Sequence, residues 1–260
     1  MRLHQTSGIT ADAMTRLPTT SKLGSSLRIQ EQFVSLQGEG RLVGVPSSFV
    51  RVSGCNLRCV WCDSPKTSWA AEGSRVAVDA LVQWCAAGPR HVVLTGGEPM
   101  LFPAIADLSR RLQAAGHHVT IETAGSVWLD ELAADLVSLS PKLAHSTPWE
   151  RDPGQAERHE SRRWRPEVLR RLMTAYPWQL KFVVRTTPTG LGEDLKQVDA
   201  VVAELAVATH ERAQVLLMPE GVDPKQLSQD YGRLLSACID RGYRLGERLH
   251  IAIFGHRPGT

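Results

Sequence analysis

The sequence predicts an α/β protein, a partial (β/α) barrel of parallel strands with helices outside. Three observations predict it. Short apolar runs alternate with helix-like stretches, a pattern that argues for a parallel sheet covered by helices. Gly88 and Gly116 stand just past two of those stretches, where a residue without Cβ closes a helix at little cost. Polar or glycine-rich motifs follow five of the apolar runs, which places them at the carboxyl ends of the strands, where sites of such folds gather.

Taken in order, residues 1–26 are polar and broken by Ser, Thr and Pro, without the apolar centre of a signal peptide. They read as a disordered leader, and one domain is expected over 27–260. Strands are expected at Arg28–Val34, Ser48–Val52, His91–Leu94, His118–Glu122, Leu136–Leu139, Gln179–Val184, Gln214–Leu217 and Leu249–Ile253. Helices are expected at Ala77–Ala87, Pro103–Ala115, Arg165–Ala175, Glu193–Ala208 and Pro224–Arg241. Between them, residues 145–163 (HSTPWERDPGQAERHESRR) are charged and punctuated by proline. That stretch reads as an exposed insertion or lid, with loop the preferred form.

Composition narrows the class. A chain of 260 residues can bury one sizeable core. A net charge of +3 gives no argument for nucleic acid. No apolar stretch approaches the ~20 residues of a membrane span. Five cysteines, three of them in one loop, do not form a secreted disulfide framework, which points to the cytoplasm. Cys85 and Cys238 fall in helix-like stretches and read as buried small apolar residues. His117, His118, His145, His159 and His256 show no metal-ligand spacing and read mostly as surface or strand-start residues, with a functional role open for His256 near the chain end.

The run GCNLRCVWCDS carries the chemistry. Its C-x3-C-x2-C spacing folds Cys55, Cys59 and Cys62 onto one face of a tight turn, where three thiolates can hold three irons of a four-iron cluster. Four thiolates are the usual complement, so one iron stays open for a small molecule. Zinc is the alternative, but it prefers paired C-x2-C knuckles closed by a fourth Cys or His, and no second half follows.

TGGEP, Thr95 to Pro99, follows the apolar run HVVL. Together with the cysteine loop it resembles the radical S-adenosylmethionine (SAM) enzymes. Further motifs narrow the resemblance: SLQGEG at Ser35 to Gly40, FVRVSGCNLRCVWCDS, ETAG at Glu122 to Gly125, SPK at Ser140 to Lys142, and HIAIFGHRPGT up to Thr260. In this order the set is similar to the 7-carboxy-7-deazaguanine synthase family, from Leu27 to Thr260 apart from the charged insertion.

The resemblance implies a partial barrel of radical SAM type, a [4Fe-4S] cluster, SAM and Mg2+. It implies conversion of 6-carboxy-5,6,7,8-tetrahydropterin to 7-carboxy-7-deazaguanine and ammonia, by a lyase that returns the abstracted hydrogen. It also implies a homodimer, a flavodoxin or ferredoxin as electron donor, and no nucleic-acid or membrane partner. Cys55, Cys59 and Cys62 would hold the cluster, and Ser64 the magnesium ion unless its hydroxyl only caps a turn. Trp61, Cys62, Asp63, Gly97, Glu98, Ser140, Pro141, Lys142, Met218, Pro219, Glu220 and Gly221 would meet SAM. Met218 is the weakest of these, because relatives carry Gln there. The lesser alternative for Glu98 is a cap on the Pro103 helix region. Leu36, Gln37, Gly38, Glu39, Arg51, Thr95 and Thr260 would meet the pterin, Arg51 through its carboxylate and Thr260 through the chain terminus. The rival readings are a glycyl-radical activating enzyme and a non-catalytic cluster protein.

Overall fold

The computed structural model describes residues 25–260. The expected leader lies outside the described residues, apart from its last two positions. Among the described residues nine strands form one sheet: β1 (Ser26–Leu36), β2 (Pro46–Val52), β3 (Ser74–Ala77), β4 (His91–Gly96), β5 (His118–Thr123), β6 (Leu136–Leu139), β7 (Trp178–Val184), β8 (Val215–Pro219) and β9 (Arg244–Leu245). Their order is β3-β1-β2-β4-β5-β6-β7-β8-β9. The pairs from β2 to β9 are all parallel. Strand β1 runs antiparallel to β2 and β3. The sheet curls without its ends pairing, so the barrel is partial, as the sequence predicts.

Seven α-helices of the described residues accompany it: α1 (Val78–Ala86), α2 (Ala104–Ala114), α3 (Pro153–Arg163), α4 (Pro166–Ala175), α5 (Pro188–Glu204), α6 (Pro224–Arg241) and α7 (Leu249–Phe254). Side chains alternate across a strand with period two, and here the two sets have different chemistry. Val92 and Leu94, Val119 and Ile121, Val137 and Leu139, and Leu180, Phe182 and Val184 join the apolar core with the helices. The alternate positions Thr95, Glu122, Ser138 and Lys181 line a cavity on the other face. Cys85 and Cys238 are buried in α1 and α6, as expected.

Two expectations fail. Leu249–Ile253 is not a strand but part of α7. The open edge of β8 is already taken by β9, so this apolar run forms a helix at the edge of the cavity instead, lining it with His250, burying Ile251 and joining its Leu249 N–H to the Gly38 carbonyl at 2.9 Å. Residues 145–163 are not a loop throughout, since 153–163 form α3. The sequence holds the signals: Asp152 caps Gln155 N–H, Pro153 opens the helix, and Arg162 and Arg163 end it. The short strands β3 and β9 carry no periodicity long enough to be read from sequence.

Candidate active site

A cavity of about 690 Å³ opens at the carboxyl ends of the strands, within the size range of ligand pockets. Cys55, Cys59 and Cys62 all line it. The loop that carries them is anchored on both sides. Gly54 N–H donates to Thr67 O at 2.9 Å, and Trp69 Nε1–H donates to Cys59 O at 2.9 Å. Leu57, 2 % exposed, plugs the loop into a small apolar cluster with Cys59 and Ala124. Among the described residues no three His, Cys, Asp or Glu side chains converge as around one ion. Three thiols carried on one loop into one cavity suit a polynuclear cluster, which takes one thiolate on each of several irons. Burial pushes the Cys55 and Cys59 thiols up to about 12, so iron must displace their protons.

The TGG glycines explain how β4 reaches this loop. A Cβ on Gly96 would stand 2.2 Å from Val52 O, and one on Gly97 would stand 2.3 Å from Gly54 O. Gly96 also has φ +142. Both are required by close backbone approach before any ligand is considered.

The cavity wall is a charged network. Glu122 Oε1 accepts from Gln37 Nε2 at 3.2 Å, and Oε2 accepts from Thr95 Oγ1 at 2.9 Å. Lys181 Nζ lies 2.8 Å from Glu39 Oε2 and 3.8 Å from Glu122 Oε1. Arg248 donates from Nε to Glu39 Oε1 at 3.1 Å, from Nη1 to Gly221 O at 2.5 Å, and from Nη2 to Asp63 Oδ2. Burial alone would raise the Glu39 carboxyl, but Lys181 and Arg248 more than reverse this and hold it well below the usual carboxylate range.

Comparison with known proteins places this architecture. The family model of the radical SAM superfamily matches residues 49–205. The 7-carboxy-7-deazaguanine synthase of Rhodopirellula baltica is 46% identical over 240 residues, covering 91% of this chain and 90% of that one. That of Halobacterium salinarum is 43% identical over 247 residues, covering 91% and 94%. The chain belongs to the 7-carboxy-7-deazaguanine synthase family. Among solved structures, QueE from Escherichia coli superposes with a TM-score of 0.63 at 25% identity, covering 86% of this chain and 95% of that one.

Most of the residues that the family resemblance singled out line this cavity. Leu36, Gln37, Gly38, Glu39, Arg51 and Thr95 form one wall, and Thr260 lies at its edge. Trp61, Asp63, Ser64 and Gly97 flank the cysteines; Ser140, Lys142, Met218, Glu220 and Gly221 complete the rim. Lys142 Nζ donates to Ser140 Oγ at 2.8 Å and sits 5.4 Å above the Trp61 ring. Arg51 gives Nε to Glu31 Oε1 at 2.6 Å, which leaves its Nη groups facing Ser64, 3.5 Å away.

Three named residues do not line the cavity: Glu98, Pro141 and Pro219. Glu98 is fully buried and its carboxylate is saturated by Met100 N–H, Thr123 Oγ1–H and Ala124 N–H. It caps the turn after TGGEP rather than facing a ligand. Met218 is 2 % exposed and reaches the cavity only as an apolar surface.

The sequence reading missed Glu122, Lys181, Arg248 and His250 as wall residues, and Glu31 as the partner of Arg51. Glu122 and Lys181 carried a signal: each is a charge next to apolar residues in a strand, Ile121 and Phe182, that face the opposite side. His250 packs under Gly38, where an added Cβ would stand 1.9 Å from Nδ1. Gly38→Ala is therefore expected to displace His250 and raise the substrate KM about tenfold, roughly 1.4 kcal/mol, with an unchanged melting temperature. Steady-state kinetics beside calorimetry check it, and an unchanged KM would rule the displacement out.

The bland reading of His145 and His159 also fails. His159 is buried, accepting from Arg58 N–H at 2.9 Å and meeting Ser146 Oγ at 2.9 Å. His145 stacks on Trp61 with ring centroids 5.7 Å apart. Its nitrogens lie 3.2 Å from Asp194 Oδ1 and 3.4 Å from Glu220 Oε2. Burial alone would raise the Asp194 carboxyl, but His145 and Arg185 reverse this and bring it to about 2, against 3.8 in an unfolded chain. A lowered carboxylate stabilises the fold above the unfolded value and loses that contribution as pH falls through the folded one. Acid titration should thus reveal about 2 kcal/mol lost between pH 4 and 2, a loss absent in Asp194→Asn. Identical acid titrations of the two proteins would refute this assignment.

Proposed function

We propose that this chain converts 6-carboxy-5,6,7,8-tetrahydropterin to 7-carboxy-7-deazaguanine and ammonia, in the biosynthesis of 7-deazapurines. The observation that carries the reading is a wall of oriented acceptors and donors, Glu39, Glu122, Gln37 and Thr95, facing three clustered thiols across one cavity. A [4Fe-4S] cluster held by Cys55, Cys59 and Cys62 and reduced by one electron from an external donor would cleave bound SAM reductively, and so would supply reversible hydrogen-atom abstraction at the substrate.

The chain's own residues orient the substrate. A pterin presents a guanidine-like edge of N–H donors, and the Glu39 and Glu122 carboxylates are matched acceptors. The Arg51 Nη groups suit the substrate carboxylate, because Glu31 already fixes the guanidinium through Nε. Cys55, Cys59 and Cys62 hold the cluster. Ser64 Oγ, 3.0 Å from Asp63 Oδ1, offers a hard oxygen for Mg2+. A single protein ligand fits an ion that keeps waters and substrate oxygens. The Trp61 and Lys142 surface supports the adenine and ribose side of SAM. Helix α7 and the segment to Thr260 lie at the edge of the cavity and limit water entry.

Among the described residues no helix is long and apolar enough to cross a membrane. A cytoplasmic homodimer fed by a flavodoxin or ferredoxin completes the proposal. The test is an anaerobic assay of the reconstituted protein with SAM, reductant, Mg2+ and the tetrahydropterin, read by mass spectrometry. Appearance of 7-carboxy-7-deazaguanine with little net loss of SAM supports the reading. Formation of 5′-deoxyadenosine that ignores the pterin overturns the substrate assignment.

A further inference from the structure

Arg248 draws together parts of the chain that the sequence keeps far apart. Its guanidinium bonds Glu39, which lies 209 residues away in the turn after β1, and Asp63, 185 residues away and directly after the last cluster cysteine. Its third partner is the Gly221 carbonyl at the exit of β8. The side chain is 8 % exposed, so these bonds are made away from bulk water. Its own backbone is fixed too, because its N–H donates to Tyr231 Oη on α6 at 2.9 Å. The next residue, Leu249, ties its N–H to Gly38 O at 2.9 Å.

Charge balance accounts for only part of this arrangement. Lys181 and Arg248 are two cations for three carboxylates, Glu39, Glu122 and Asp63, and Lys181 already stands 2.8 Å from Glu39. What Arg248 adds is geometry: a planar fork with five donors spans three acceptors at once, whereas an ammonium on a flexible stem is a point charge. Glu39 belongs to the wall assigned to substrate, Asp63 to the cluster side, and Gly221 to the SAM rim. One side chain therefore holds all three sides of the cavity in register.

We propose that Arg248 is a positioning residue that latches the substrate turn, the segment after Cys62 and the β8 exit into one unit, so that radical formation is tied to a closed, substrate-filled cavity. The functional half of this inference rests on the pterin reading above. The structural half does not.

The experiment compares wild type, Arg248→Lys and Arg248→Gln by hydrogen–deuterium exchange, with and without the cluster. It then measures pterin KM and the ratio of released 5′-deoxyadenosine to product. In Arg248→Gln, amides in residues 37–40, 61–66 and 219–222 are expected to exchange faster together, by about 100-fold, the scale of breaking a buried ion pair. The pterin KM rises, and 5′-deoxyadenosine accumulates beyond product. Arg248→Lys restores protection in one segment and not in all three. Faster exchange confined to residues 249–254, with unchanged KM and product ratio, would reduce Arg248 to an anchor of α7 and overturn the latch. If wild type does not turn over the pterin while the three segments still loosen together, the substrate assignment falls and the latch stands.

Discussion

Cys59→Ala is expected to yield a folded protein that binds no four-iron cluster and forms no detectable product. The thiol is 8 % exposed and packs beside Leu57 and Ala124, so truncation removes few apolar contacts. The chemical loss is far larger, because only two thiolates then remain for a cluster already one ligand short of the usual complement. Activity should fall by at least about 1000-fold, equivalent to roughly 4 kcal/mol of transition-state stabilisation. Iron and sulfide content, together with the electron paramagnetic resonance signal of the reduced protein, report the cluster directly. Cys85→Ala and Cys238→Ala serve as controls. Both thiols are buried in helices away from the cavity, and both variants should keep their iron. Full iron content in Cys59→Ala would refute the ligand assignment, and iron loss in the controls would show that the effect is general unfolding.

Lys181→Met is expected to cost 3–5 kcal/mol of stability and about 100-fold or more in activity. Lys181 is 5 % exposed on β7 and stands between Glu39 and Glu122. Methionine fills much of the same volume but leaves two carboxylates facing each other without that cation. Breaking a buried pair from one side leaves an uncompensated charge, which is why the penalty exceeds the net worth of the pair. The double variant Lys181→Met/Glu39→Gln removes one of the two charges and should recover most of the lost stability. A cycle of the two single variants and the double variant isolates the coupling. Additive effects would mean that the two side chains do not interact, contrary to their 2.8 Å separation.

The parts of the site that were legible in sequence are the local ones. Cys55, Cys59 and Cys62 fall within eight residues, so their spacing alone fixes that three thiols share a turn. TGGEP and ETAG follow apolar runs, and the structure puts both at strand ends as that order requires. Glu98 shows the limit of motif reasoning. It sits inside TGGEP, a motif that carries the superfamily resemblance, yet its carboxylate is consumed by Met100, Thr123 and Ala124. The rival classes fare differently. A cavity of about 690 Å³ with α7 at its edge suits a small substrate rather than a protein one. A cluster protein without catalysis gives no role to the Glu39 and Glu122 wall.

Several elements were not legible, each for a physical reason. The LHIAIF run has strand-like composition, and nothing local says that β9 already occupies the sheet edge it would need. Residues 153–163 form a helix despite their charge because Asp152 and Pro153 start it and Ala156 and His159 find a buried face against the cysteine loop. Propensity and composition are weak priors when a neighbouring surface supplies the packing.

By itself, the sequence determined the α/β class, the strand–helix alternation, the cluster loop and the family. The class and the alternation follow from periodicity and the three-thiol loop from short spacings, which the chain cannot vary without changing its local geometry; the family follows from the resemblance of its motifs. Only the tertiary structure decided which charges share the cavity. Glu39, Asp63, Glu122, Lys181 and Arg248 come from five separate segments, and their pairing depends on sheet register, on the curl that faces β5 and β7 inward, and on α7 lying at the cavity edge. A buried charge must find an opposite partner wherever the fold brings one, and that choice is made by distance in space rather than along the chain.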